Sequence, residues 1–168
     1  MMLPLSILLL SLPFSMATNC DDCACPNITS LFEYAYSTPS LLSYSEGPGC
    51  TYNLTCPLTP KTWLGTYWNA TDIPMPADAY PEWFLYYMTA PDDVELPAAD
   101  LFELFGLECS AEGKWMITKA YEEVRYVTLD SSGFRSLNGS ELNAKGYKSE
   151  LFLWFWYQSN VNGSVQVY

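Results

Sequence analysis

The chain has 168 residues, of which 19 are acidic, 7 are Lys or Arg and none is His, for a formal net charge of -12. That length fits one domain, and the acidity argues against nucleic acid as a partner, because affinity there comes from Lys and Arg neutralising phosphates. A hydrophobic content of 49% with 16% aromatics excludes a disordered chain, and the missing histidine removes Ser–His and Cys–His nucleophiles, the commonest metal ligand and the usual base near neutral pH.

Residues Met1 to Ala17 read MMLPLSILLLSLPFSMA. Leu3 to Leu12 is an apolar run, and Ser15-Met16-Ala17 places small residues where a signal peptidase cuts, so this segment is expected to be a secretory signal peptide. The run is shorter than the ~20 apolar residues of a membrane span. The expected mature chain is Thr18 to Tyr168, one extracellular domain. Within it, residues 18–113 hold 14 acids and one base, Lys61, whereas residues 114–168 hold six bases and five acids.

The cysteines follow at Cys20, Cys23, Cys25, Cys50, Cys56 and Cys109. An even number in an exported chain points to a disulfide framework. Cys23 and Cys25 are too close in sequence to bridge without strain. Cys50 and Cys56 are too far apart if a strand joins them, since each residue adds ~3.3 Å and bridged Cα atoms sit within ~7 Å. The preferred reading pairs the three N-terminal cysteines with the three later ones, which leaves six of 15 connectivities. Cys20-Asp-Asp-Cys23 has the spacing of a redox centre. Its two aspartates raise a thiol pKa, however, where redox chemistry needs it lowered. Five N-glycosylation sequons start at Asn27, Asn53, Asn69, Asn138 and Asn162, none with Pro in the middle.

In chain order, Thr51 to Thr55 and Lys61 to Trp68 read as strands. The five prolines between Pro74 and Pro97 leave helix or strand open around Tyr80 to Tyr87. Pro97 to Phe105 reads as a short helix, with Pro at its start and Gly106 as its stop. Leu107 to Cys109 and Lys114 to Thr118 read as strands joined by a turn at Ser110 to Gly113. Tyr121 to Leu129 is a further strand and Ser131 to Gly133 a turn. Leu151 to Tyr157 reads as a fully buried strand with its aromatics in the core, and Val161 to Tyr168 as a closing strand. The expected fold class is β-rich α+β: a single small disulfide-stabilised domain of antiparallel strands with one or two short helices.

Three local patterns resemble a cysteine-rich extracellular domain of unknown function that is expanded in nematodes. They are Cys20-Asp-Asp-Cys23-Ala-Cys25-Pro26, then Gly49-Cys50-Thr-Tyr-Asn-Leu-Thr-Cys56, then Gly106-Leu-Glu-Cys109 with Gly113-Lys-Trp115 and a β-stretch to Val127-Thr128. Together they span residues 20–129. Where that family's last strand would end in a cysteine, this chain has Leu129. The resemblance implies no catalytic residues.

The expected function is that of a secreted, disulfide-bonded N-glycoprotein with a non-catalytic binding, structural or defence role. No motif for chemistry appears, so no enzyme, cofactor or metal is expected. The expected partner is an extracellular protein or glycan, and no membrane span is expected in the mature chain. The alternative is carbohydrate recognition, with sugars stacking on Tyr80, Trp83, Tyr86 and Tyr87 beside Asp92 and Asp93, or on Trp63, Tyr67 and Trp68. Of these, Trp83, Tyr86 and Tyr87 are the foremost candidates for ligand contact. Against it stands the reading that these rings fill a core. A two-carboxylate hydrolase using Asp92, Asp93 and Glu95 is less favoured. Calcium on the same segment lacks the D-x-D-x-D-G pattern of a calcium loop.

Overall fold

The computed structural model describes residues 23–33, 43–46, 50, 52–56, 61–89, 99–130 and 133–157. A 3₁₀ turn at Ile28–Leu31 comes first, followed by β1 (Ser43–Glu46), β2 (Tyr52–Cys56) and β3 (Lys61–Tyr67). A second 3₁₀ turn, Trp68–Ala70, leads to β4 (Phe84–Met88). Then come β5 (Ala99–Asp100), α1 (Leu101–Phe105), β6 (Glu108–Cys109), β7 (Trp115–Ile117) and β8 (Glu123–Val127). The described chain closes with β9 (Phe134–Asn138), α2 (Gly139–Lys145), β10 (Ser149–Glu150) and β11 (Leu153–Tyr157). The fold is β-rich α+β with antiparallel sheets and short helices, as the sequence implied; the described residues hold two helices and two disulfides.

The largest sheet has the order β11-β3-β4-β8-β9, every neighbour antiparallel. Its two faces separate cleanly because side chains alternate along each strand. Leu64, Leu85, Tyr87, Val124 and Trp154 point to one face. There they meet Ile28 and Phe32 of the N-terminal segment, Leu101 and Phe105 of α1, Trp115 and Ile117 of β7, and Leu142 of α2. Trp63, Tyr86 and Met88 form a second cluster on the opposite face, joined by Phe84 and Phe155. Gly65 sits opposite Leu153 on this second face, and a Cβ there would fall 2.9 Å from Leu153 Cδ1. The bare backbone is what admits the leucine. Two smaller three-stranded sheets, β1-β2-β5 and β10-β7-β6, complete the architecture.

Strand β4 explains why the Pro-rich stretch resisted assignment. Its last four residues are all buried, because both faces of the sheet are covered at that point. A strand buried on two sides shows no alternation to read. Helix α1 begins at Leu101, later than expected. Its N-cap is Asp100, whose Oδ1 accepts the Phe102 N–H at 2.9 Å, while Pro97 lies outside the described residues. A side-chain cap satisfies a free helical N–H, which a proline does not. Gly106 ends the helix as expected, at φ 56°, where a Cβ would run into the Thr118 hydroxyl.

Strand β11 forms where expected, but it is not fully buried. Trp154 is 1% exposed, Phe155 is half-buried, and Phe152 just before the strand is 39% exposed. The strand lies at the end of the sheet order with β3 as its neighbour; Trp154 enters the main core and Phe155 the second cluster, while Phe152 lies edge-on to Tyr67 at the open end of the sheet. The core assignment therefore holds for Trp154 and fails for Phe152. Strand β9 and helix α2 are additional to the sequence reading. The closing strand expected at Val161 to Tyr168 and most of the Ser131 to Gly133 turn lie outside the described residues. No helix among the described residues is long and apolar enough to cross a membrane.

Candidate functional site

Both disulfides join the N-terminal cysteines to later ones. Cys23 bridges Cys50 across 27 residues and Cys25 bridges Cys109 across 84. Their Cα separations of 5.0 and 5.8 Å lie inside the usual range of about 4.4–6.8 Å. The sulfurs of Cys23, Cys50 and Cys109 lie within 4.8 Å of one another. Each is spent in a disulfide, and metal ligation needs a thiolate. Tyr52–Cys56 forms β2, and Cys50 is bridged to Cys23 rather than to Cys56. Cys20 and the side chain of Cys56 lie outside the described residues.

Two tryptophans complete the anchoring of the N-terminal segment. The Trp115 indole N–H donates to the Pro26 carbonyl at 2.8 Å, and that of Trp154 donates to the Ile28 carbonyl at 3.0 Å. Asn27 sits between those two acceptors. It is exposed, and its Oδ1 accepts from the Thr29 N–H and hydroxyl. Asn138 caps α2 in the same manner, its Oδ1 accepting the Glu141 N–H at 3.2 Å. In both cases the cap uses the oxygen and leaves Nδ2, the atom to which an N-glycan attaches. Asn69 and Asn138 are exposed as well. Asn53 lies in β2 with its side chain outside the described residues, as is all of Asn162.

The aromatic platform expected at Trp83, Tyr86 and Tyr87 does not assemble. Tyr86 is buried at 9% and Tyr87 at 2%, and as consecutive residues of β4 they point to opposite faces. Trp63 is buried too, in the second cluster. Only Trp83 stands out, 48% exposed, its ring edge-on to Tyr80 at 6.4 Å. Asp92, Asp93 and Glu95 lie outside the described residues.

An open groove of about 680 Å³ lies instead at one end of the large sheet. Its lining includes Tyr67, Trp68, Met75, Pro81, Glu82 and Phe152. Tyr67 ends β3 and stacks on Phe84 at 4.3 Å, with Phe152 edge-on to it at 4.9 Å. Met75 and Phe152 are 49% and 39% exposed. Apolar side chains left open to water together mark a binding surface more often than scattered ones do. The sequence named Tyr67 and Trp68 but not Phe152, Met75 or Pro81. Phe152 comes from a distant part of the chain, so only the fold brings it to the groove beside Met75 and Pro81.

Behind the groove, Ser149 is fully buried and shares its hydroxyl with Tyr87 Oη at 2.7 Å and Thr71 Oγ1 at 2.6 Å. Burial pushes the Tyr87 phenol up to about 12, opposed by its hydrogen bonds to Ser149 and Thr71. Above pH ~10 the unfolded tyrosine ionises while the folded one keeps its proton. The stability this group contributes is therefore complete below pH ~10 and is lost as pH rises toward about 12. Over that window the wild type is expected to lose roughly 2–3 kcal/mol relative to Tyr87→Phe. Denaturant titrations at several alkaline pH values measure this. Parallel stability curves for the two proteins would refute it.

Ion pairs link the acid-rich part of the sequence to its later part. Arg135 meets Asp78 at 2.7 Å and Lys148 meets Glu108 at 2.6 Å, each joining the acid-rich part to the later part. Both pairs are exposed, so each contributes no more than about 1 kcal/mol.

No curated protein and no solved structure matches the chain. A family model described as TRA-1 regulated protein R03H10.4 matches residues 21–156. That span runs from before the first bridged cysteine into β11, well past Leu129, where the sequence motifs stopped. It takes in both disulfides, all of the groove and the whole large sheet up to its last residue. The chain belongs to the nematode family of TRA-1 regulated protein R03H10.4.

Proposed function

We propose that the protein is a secreted, disulfide-bonded N-glycoprotein that acts outside the cell by binding a protein or glycan, without catalysis. The observation that carries this reading is the pair of long-range disulfides, Cys23–Cys50 and Cys25–Cys109. Bridges of this kind form and persist in oxidising compartments and are rare where thiols are kept reduced. The exposed sequon asparagines Asn27, Asn69 and Asn138 support it, as does the signal-like Met1 to Ala17. Carbohydrate recognition stands as the second reading. It is favoured by the aromatic groove at Tyr67, Trp68 and Phe152, not by the surface around Tyr86 and Tyr87.

Expression of the full chain in a glycosylating eukaryotic host tests the first reading. The protein is expected in the medium, beginning at Thr18, with mass lost on enzymatic deglycosylation. Non-reducing peptide mapping is expected to recover both bridged peptides and thiol titration to find no free cysteine, which leaves Cys20 and Cys56 as one pair by count. Retention inside the cell with free thiols would sink the reading.

A further inference from the structure

The groove has a sequon built into its wall. Asn69 is one of its lining residues and is exposed, and Asn69-Ala-Thr71 follows directly on Tyr67 and Trp68. We propose that this groove seats the inner sugars of the chain's own N-linked glycan, attached at Asn69. The inference rests on the exported-glycoprotein reading above and adds an occupant to the groove.

Four observations lead to this occupant. The attachment point is held in place. Asn69 lies in the 3₁₀ turn Trp68–Ala70, between β3 and Thr71, and Thr71 pairs with Ser149 as an isolated bridge. The Thr71 hydroxyl also accepts the Ile73 N–H at 3.1 Å. A glycan leaving such a fixed turn starts in one direction, which lowers the entropy cost of settling it on the surface. The chemistry of the lining fits as well. The apolar C–H faces of N-acetylglucosamine and mannose stack on aromatic rings, and Tyr67, Trp68 and Phe152 supply three. The charge balance agrees with a neutral ligand. The chain carries -12 overall, yet among the described residues of the lining Glu82 is the one that is charged. A neutral core saccharide matches this surface better than a basic peptide. The volume of about 680 Å³ falls within the ~300–1,000 Å³ of small-ligand sites.

Covalent attachment also settles the concentration question. A tethered ligand meets its groove at an effective concentration in the millimolar range when the tether is short. Stacking too weak to hold a free sugar is then sufficient. The attached glycan covers Phe152 and Met75, apolar side chains that otherwise face water.

The test uses the full chain secreted from glycosylating cells, with glycopeptide mapping to report occupancy of each sequon. Asn69→Gln is expected to lower Tm by about 2–4 °C in the wild-type background. In Phe152→Ala, whose half-open ring can be removed without disturbing the core, the same change is expected to lower Tm by less than half as much. Under native conditions, enzymatic release of the Asn69 glycan is expected to be roughly tenfold slower than release at Asn27 or Asn138. Phe152→Ala is expected to abolish that protection. Occupied Asn69 with equal Tm losses in both backgrounds and no protection would overturn the proposal. So would an empty Asn69 in a protein glycosylated elsewhere, a result that leaves the exported-glycoprotein reading intact. A chain retained with no glycan at any site overturns both. Binding of an added oligosaccharide by the deglycosylated protein, lost in Phe152→Ala, with no such effect of the Asn69 glycan, would give the groove to an external ligand instead.

Discussion

Replacing Cys25 and Cys109 together by Ser is expected to lower stability by about 2–5 kcal/mol, which for a chain of this size is a Tm loss of roughly 5–20 °C. This bridge closes 84 residues, against 27 for Cys23–Cys50. In the chain-entropy description a loop of the larger size corresponds to ~4.5 kcal/mol and one of the smaller size to ~3.5 kcal/mol. The order of the two effects is therefore part of the expectation. Cys25 is itself buried in the main core, beside Ile28 and Trp115 in one cluster, so its loss also disturbs packing. Replacing both partners avoids a free thiol that could exchange with the neighbouring bridge, whose sulfurs lie within 4.8 Å of Cys109. Thermal and urea denaturation of the two double variants checks this. A Tm within about 2 °C of wild type, roughly the resolution of such a scan, would show that the N-terminal segment is held without the bridge.

Trp154→Ala is expected to cost about 3–5 kcal/mol, the range for deleting a large buried ring. Trp154 is 1% exposed and contacts Phe32 with ring centroids 4.4 Å apart. Its backbone carbonyl accepts the Glu33 N–H at 2.9 Å, and its indole N–H satisfies the buried Ile28 carbonyl. Truncation leaves a cavity and removes that donor. Trp154→Phe, which keeps a ring but not the N–H, is expected to cost less, with about 1–3 kcal/mol from the unsatisfied carbonyl. Trp83→Ala, at a 48% exposed position, is expected to stay within about 0.5 kcal/mol of wild type. Equilibrium urea unfolding of the three variants separates these cases. A cost below ~1 kcal/mol for Trp154→Ala would mean that β11 is not docked on the N-terminal segment as described.

Several elements were legible because their signals are local. Strands β6 and β7 with the turn at Ser110 to Gly113 formed as read, since the Ser110 N–H to Lys114 carbonyl bond at 2.8 Å closes a short hairpin. Helix α1 stopped at Gly106 because a positive φ favours a residue without Cβ. Helix α2 carries an equally local signal. Asn138, with Glu141 three residues on and Gly146 after Lys145, is a complete set of helix start and stop signals. The same Asn138 both opens a sequon and caps the helix.

The candidate site divides in the same way. Tyr67 and Trp68 are legible as possible sugar contacts and Asn69 as a sequon from residue type alone, and being consecutive they share one wall of the groove. Phe152 reaches it only because β11 pairs with β3, bringing Leu153 opposite Gly65. The role of each aromatic was likewise undecidable from composition. Trp63, Tyr86 and Tyr87 are buried and Trp83 is exposed, although all four lie in similar aromatic surroundings along the chain.

The sequence by itself determined the features that depend on residue type and spacing: the β-rich class, the crossing of early with late cysteines, the helix stop at Gly106 and the positions of the sequons. These rest on local sterics, turn chemistry and thiol count, which do not need distant partners. Only the tertiary structure decided which early cysteine meets which late one, which aromatics face water, and that Asn69 stands in the wall of an apolar groove. Each of those depends on strand order and register, and in this chain strands far apart in sequence are neighbours in the sheet.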